Sequence, residues 1–291
     1  VRRLCYIGTV LHTRPDDFGG SRCPLQVGAE LFGHNGLASD FEVLQLMLET
    51  LTIAGLTDLH LELGHVGIYR GLVAQAGLDS TDEAELFGIL QRKTGHELAQ
   101  FFANRGLTPD LSCMFSALID LNGGPEILTE AQHALAAGGE EVRAAMAQLE
   151  SLIALITHKY PELPIHLDLA ELRGYAYHTG VIFAAFQAGQ GRDLARGGRY
   201  DHVGEVFGKA RPATGFSADL KILLSSAGEL PAQALGICAP ASEDVELERL
   251  VKALREQGER VIQSLPDMEQ PVGCDRRIIR GQAGWQVVPL D

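Results

Sequence analysis

Two groups of residues in this chain of 291 have types and spacings that can bind a small molecule. Gln26 and Glu30 stand four positions apart in LQVGAELFG. Side chains alternate faces along a β-strand, so this amide and this carboxylate project to the same side. Such a pair can bind an amine and an imidazole; equally, it can do no more than pair with neighbouring arginines. The second group is split between two segments. Arg173 precedes Gly174, Tyr175, Tyr177 and His178 in ELRGYAYHTGVIF, and Gly197, Gly198, Arg199 and Tyr200 lie together in ARGGRYD. A cation and hydrogen-bonding rings beside glycines suit a backbone that approaches a ligand closely. The plainer alternative is a glycine-mediated turn carrying surface arginines.

The other polar groups carry less. A dinucleotide fingerprint, a P-loop and a nucleophile elbow are all absent as spaced motifs. His60 and His65 flank a strand end and read as ordinary surface residues rather than zinc ligands. His133 and His158 lie alone in helical segments, where a structural or solvated role is expected. Asp79, Asp82, Glu83 and Glu85 read as a helix N-terminus favoured by the macrodipole. No metal, cofactor or catalytic residue is expected.

The elements that must position these residues follow from periodicity. RLCYIGTVLH and LQVGAELFG read as two strands joined by the turn-rich PDDFGGSRCP, a long-looped antiparallel hairpin. A helix follows, with Ser39 as N-cap, Glu42 in capping-box position, and apolar residues at Val43, Leu44, Met47, Leu48 and Leu51. TDLHLELG alternates as a half-buried strand. From about residue 66 to 160 the texture is helical, with segments at Glu83–Lys93, Glu97–Arg105, Leu111–Leu121, Ile127–Ala136 and Val142–His158. Strands return at IHLDLA and GVIFAAF, and GQGRDLARGGRYD reads as a loop. ATGFSADLKILLSSAG then runs from strand into helix. A strand, a helix over Glu243–Gln257, a strand RVIQSL, and the runs RRIIR and WQVVPL close the chain. The reading is α+β, with a large domain over 1–228, a helical insertion at about 78–160, and a small α/β segment over 229–291.

Bulk properties bound the partners. A formal net charge of −14 with no dense Lys/Arg run disfavours a polyphosphate partner, since nucleic-acid affinity rests on cations displacing counterions. The five scattered cysteines read as reduced thiols of a cytoplasmic protein. No apolar run approaches the length of a membrane span. Val1-Arg2-Arg3 leads straight into a strand, so a preceding segment is expected.

Taken in order, these pieces resemble histidyl-tRNA synthetase over most of residues 2–228. RRLCYIGTVLHTRP with LQVGAELFGHNG is similar to the class II motif 2 hairpin. RGYAYHTGVIF resembles the second histidine-specific signature, and GGRYDHVGEVFG with ARPATGFSADL resembles the lead into motif 3. The resemblance implies a class II synthetase-like antiparallel sheet flanked by helices, with the helical block as the family's insertion. It also implies a histidine pocket at Gln26, Glu30, Arg173, Tyr177, His178 and Tyr200. Two pocket positions depart from the signature: His178 replaces its second tyrosine and Ala176 its aspartate. Motif 1, through which class II proteins dimerise, would lie before Val1.

The departures at the ATP positions are the informative ones. The family's motif 2 places an arginine on the α-phosphate and then a glutamate on adenine; the corresponding residues are His12 and Arg14. Ile222 stands where motif 3 carries its arginine. A largely neutral imidazole is a weak substitute for a guanidinium fork, and an isobutyl chain donates nothing. Losing one preorganised charge contact costs roughly 10²–10³ in rate, so adenylation is expected to be lost. The residues after 228 are expected to be too few to complete the family's anticodon-binding α/β unit.

A synthetase-like chain of this kind resembles the regulatory subunit of ATP phosphoribosyltransferase. That resemblance implies a partner, the short-form catalytic subunit, at the first step of histidine biosynthesis. It also implies activation of that partner, a share in conveying feedback by free histidine, and self-association as a dimer. The alternatives are a histidyl-tRNA synthetase fragment, which would show histidine-dependent ATP–pyrophosphate exchange, and an amino-acid ligase paralogue, which would bind ATP. A bare structural dimeriser is the remaining one.

Overall fold

The computed structural model describes residues 1–13, 21–170, 174–175, 177–189, 191–227, 235–265, 273–282 and 284–290. Two compact units divide the chain at Val1–Gly228 and Glu229–Asp291.

The larger unit begins with β1 (Arg2–Thr9) and β2 (Leu25–Phe32), then α1 (Leu37–Ile53), β3 (Leu59–His65) and α2 (Val66–Ala76). The helical stretch continues through α3 (Ser80–Gln91), α4 (Gly95–Arg105) and α5 (Pro109–Asp120), the short β4 (Asn122–Gly123), α6 (Ile127–Ala134) and α7 (Glu140–Lys159). β5 (Ile165–Asp168), β6 (Val181–Gln187), β7 (Ala195–Arg199), β8 (Ala213–Asp219) and α8 (Leu220–Ser226) complete it. Among the described residues the strands form one eight-stranded sheet in the order β1-β2-β8-β7-β6-β3-β5-β4. Every pairing is antiparallel except β3 with β5.

Alternation along each strand divides this sheet into two faces. Ala29 and Leu31 on β2, Leu61 and Leu63 on β3, and Phe216 and Ala218 on β8 are buried in the core. The core is shared with α1, whose Val43, Leu44, Met47, Leu48 and Leu51 recur at helical spacing and are buried. Gln26, Gly28 and Glu30 point to the opposite face.

Several local expectations give way here. The first helix is capped by Gly36 with no side-chain cap. Ser39 lies inside it, its Oγ 2.7 Å from the Gly36 carbonyl and 2.7 Å from Arg199 Nη2. Glu42 pairs with Arg3 instead of closing a capping box. The helix Val66–Ala76 follows a strand directly and opens the helical stretch expected from about residue 66. His65 is no surface residue: it is buried, accepts the Gly67 N–H at 3.1 Å to cap this helix, and lies 3.1 Å from Gln148 Oε1. Burial pushes its pKa down to about 4, against the hydrogen bond to Gln148.

The glycine-rich stretch read as a loop contains β7, a central strand. Glycine is a poor strand former, yet Gly197 and Gly198 are there because neighbours come too close for a Cβ. That atom would meet Gly215 O at 2.2 Å in one case and Val181 O at 2.6 Å in the other.

The smaller unit holds β9 (Gly236–Ala239), α9 (Val245–Glu256), β10 (Val261–Gln263), β11 (Cys274–Gly281) and β12 (Gly284–Pro289). Its described strands form a four-stranded sheet, β10-β9-β11-β12. Ile237, Ala239, Leu247, Val251, Val261 and Ile278 make its core. Asp244 caps α9 through the Glu246 N–H at 2.8 Å and also receives the Trp285 indole at 3.0 Å. Among the described residues no helix is long and apolar enough to cross a membrane.

Candidate functional site

On the sheet face opposite the core lies a cavity of about 270 Å³. Gln26 and Glu30 enter it from β2, Gly215 and Ser217 from β8, Arg196 and Gly197 from β7, and Glu62 from β3. Tyr177, His178 and Tyr200 line it as well, so five of the six residues assigned to a pocket from sequence come together. The sixth, Arg173, lies outside the described residues.

Glu30 is held by the absence of a side chain opposite it. Glu30 registers with Gly215, where an added Cβ would lie 1.7 Å from Glu30 Oε2 and 2.8 Å from the Tyr200 hydroxyl. The carboxylate and the phenol therefore occupy the same corner. Tyr200 is 5 % exposed. Its hydroxyl and Glu30 Oε2 are both buried with no hydrogen-bond partner among the described residues. An unmet buried acceptor is costly. Burial pushes the Glu30 carboxyl up to about 7. An N–H-bearing ligand would meet both groups.

Aromatic rings wall this corner. Tyr177 stacks on Tyr200 with centroids 4.7 Å apart and planes at 28°, and it meets His178 edge-on at 5.3 Å. Burial, then the charge of Glu30, raises the Tyr177 phenol to about 12, so it stays a neutral hydrogen-bonding group. The His178 ring lies where a Gly198 side chain would begin, 2.8 Å from that Cβ position.

Tyr6 is a wall residue that sequence reasoning did not single out. It registers opposite Gly28, and its hydroxyl lies 2.6 Å from where a Gly28 Cβ would stand. Burial, then Glu30, raises its pKa, and a hydrogen bond with Ser217 opposes this. The signal was the glycine two residues before Glu30, but only the hairpin register shows which ring it admits.

A buried charge cluster stands behind the cavity. Arg199 pairs with Asp40 at 2.9 Å and with Asp201 at 3.0 Å, and donates to the carbonyls of His34 and Gly36 at 3.2 and 3.3 Å. It ties β7 to the start of α1.

Two of the positions compared with ATP contacts are described, and neither lines the cavity. His12 donates its N–H to the Arg22 carbonyl at 2.9 Å and is not among the cavity-lining residues. Ile222 packs on the core from α8. Arg14 lies outside the described residues. Among the described residues, no group of three His, Cys, Asp or Glu could hold a metal ion.

Comparison with known proteins bears on both units. The histidyl-tRNA synthetase family matches residues 1–223, and the ATP phosphoribosyltransferase subunit HisZ C-terminal domain matches residues 233–288. An ATP phosphoribosyltransferase regulatory subunit from Nitrosococcus oceani is 50% identical over 294 residues, spanning 100% of this chain and 73% of that protein. Among solved structures, an ATP phosphoribosyltransferase regulatory subunit/histidyl-tRNA synthetase from Bacillus halodurans aligns with TM-score 0.76 and 25% identity, over 93% of this chain and 69% of that one. A chain of the ATP phosphoribosyl transferase (HisG:HisZ) complex from Thermotoga maritima shares the fold with TM-score 0.58, at 19% identity over 75% of this chain and 73% of that one. The chain belongs to the ATP phosphoribosyltransferase regulatory subunit family, and its larger unit has the class II histidyl-tRNA synthetase-like fold.

Proposed function

We propose that this chain pairs with a short-form ATP phosphoribosyltransferase catalytic subunit in the cytoplasm, activates it, and carries a histidine-sensing pocket for feedback inhibition. Family membership supports the partner. The observation that carries the histidine reading is the pair of unmet buried groups, Glu30 Oε2 and the Tyr200 hydroxyl, inside a cavity walled by tyrosines. An imidazole is flat enough to lie along stacked phenols and offers an N–H to a carboxylate. Gln26, on the same face, serves an amine or a carboxylate. Arg173, Tyr177 and His178 complete the proposed set.

Adenylation is not part of this function. His12 and Ile222 are not among the cavity-lining residues and offer no guanidinium to a phosphate, which supports a binding role without activation chemistry. Self-association as a dimer belongs to the same proposal. The test is to add the chain to a short-form catalytic subunit and follow phosphoribosyl transfer with and without histidine. Stimulation that histidine reverses supports the proposal; a rate indifferent to the chain and to histidine refutes it. Histidine-dependent ATP–pyrophosphate exchange would revive the synthetase alternative.

A further inference from the structure

Tyr177 walls the cavity, yet little of its own surface holds it there. It is 47% exposed, and its described ring contacts are Tyr200 and His178. Its place is therefore set by the backbone that carries it. That backbone is a turn closed on one carbonyl: Gly174 O accepts the N–H of Tyr177 at 2.8 Å and that of His178 at 2.9 Å. Gly174 has φ +71°, and a side chain there would begin 2.6 Å from His178 Nδ1. Tyr175 leaves the same turn toward the helices rather than toward the cavity.

Tyr175 has an aromatic seat formed by α2 and α3. Its ring meets Tyr69 edge-on with centroids 5.2 Å apart, and lies tilted on Phe87 at 5.2 Å. Tyr69 is fully buried, and its hydroxyl donates to the Glu83 carbonyl at 2.8 Å, so the seat is itself fixed. Arg70, the next residue on α2, grips Tyr175 twice. Its Nη2 donates to the Tyr175 carbonyl at 2.9 Å, and its guanidinium carbon lies 5.0 Å from the centre of the Tyr175 ring. The Arg70 Nε is buried with no hydrogen-bond partner among the described residues. The desolvation of this half-buried guanidinium is offset by its hold on a single residue.

We propose that Tyr175, gripped by Arg70, is a positioning residue for the cavity: it fixes the turn that presents Tyr177, so that the seat between α2 and α3 sets how tightly the cavity holds its ligand. This rests on the reading of the cavity as a histidine pocket. It gives the helical stretch a part in ligand affinity, although none of the described lining residues comes from that stretch.

Calorimetry with L-histidine on the wild-type chain, Tyr175→Ala, Tyr177→Ala and the double variant tests it as a cycle. Tyr175→Ala weakens histidine binding by about tenfold, while Tyr175→Phe, which keeps the ring in its seat, stays within about threefold of the wild type. In the Tyr177→Ala background the effect of Tyr175→Ala shrinks to less than about threefold, because the ring it positions is gone. A merely structural loosening would carry its full factor into that background and overturn the proposal. If Tyr175→Ala folds poorly, Arg70→Met, which removes both grips, takes its place in the cycle. Unchanged histidine affinity in Tyr175→Ala or in Arg70→Met also overturns the proposal. Failure of the wild type to bind histidine overturns the pocket reading itself.

Discussion

Replacing Glu30 by glutamine separates what the site does for a ligand from what it does to the empty protein. The carboxyl is raised from an ordinary 4.5 to about 7 because burial penalises its charge. The folded state therefore holds a proton that the unfolded chain has released, throughout the interval between those two values. By linkage, this group makes stability fall as pH rises from about 4.5 to about 7, and the penalty is constant above that range. For a fully enclosed carboxyl the penalty would be roughly 3 kcal/mol at about 1.4 kcal/mol per pKa unit. Solvent reaches part of Glu30, and screening reduces the figure to about 1–2 kcal/mol. His65 acts with the opposite sign, since its neutral ring at a pKa of about 4 loses stability as pH falls below its unfolded value. Only the difference between variant and wild type isolates Glu30. Urea titrations of both proteins at pH 4.5, 6 and 8 then give a stability gain for Glu30→Gln that grows with pH to about 1–2 kcal/mol. Calorimetry on the same variant gives weaker histidine binding. A gain that does not change with pH, or a loss at pH 8, refutes the assignment of Glu30 as a buried carboxylate awaiting a partner.

Three further substitutions test the site and the packing of each unit. Gly215→Ala puts a methyl group at a point 1.7 Å from Glu30 Oε2, so the carboxylate moves and histidine affinity drops by about tenfold or more; calorimetry showing unchanged affinity contradicts this. Arg199→Met leaves Asp40 and Asp201 without their cation. Removing one member of a buried ion cluster costs about 3–5 kcal/mol, read as a lowered urea midpoint, and a near-neutral result would mean that the cluster does not hold β7 to α1. Asp244→Ala removes both the cap of α9 and the acceptor of the indole of Trp285, the only tryptophan in the chain. Its fluorescence transition moves to lower urea, and an unmoved transition counts against the cap.

Where hydrophobic period and element length agreed, the fold was legible. The helix α1 and the long helix α7 have apolar residues at helical spacing, and tertiary packing follows them; β1 and β2 were legible from their strand-forming residues and pair as the expected antiparallel hairpin. β7 was not legible, because its glycines are selected by what lies above them, Phe183 and His178, rather than by strand propensity. Ser39 has a good capping side chain, yet the buried guanidinium of Arg199 has the stronger claim on its hydroxyl. His65 looked like a surface residue because a strand end and a helix start share it. For the site, alternation along β2 was enough to place Gln26 and Glu30 on one face. Tyr6 and Arg196 come from strands whose register no local pattern specifies, so only the assembled sheet shows them facing the same space.

In the proposed function, histidine control of a catalytic subunit runs through the Glu30 cavity. The most direct measurement is the initial rate of phosphoribosyl transfer by a short-form catalytic subunit across a histidine titration. It is made alone, with the wild-type chain and with Glu30→Gln. Both chains are expected to stimulate the rate, and the histidine inhibition curve to shift at least about tenfold to higher concentration with the variant. Stimulation with identical inhibition curves for the two chains would place histidine control outside this cavity and refute the role of Glu30.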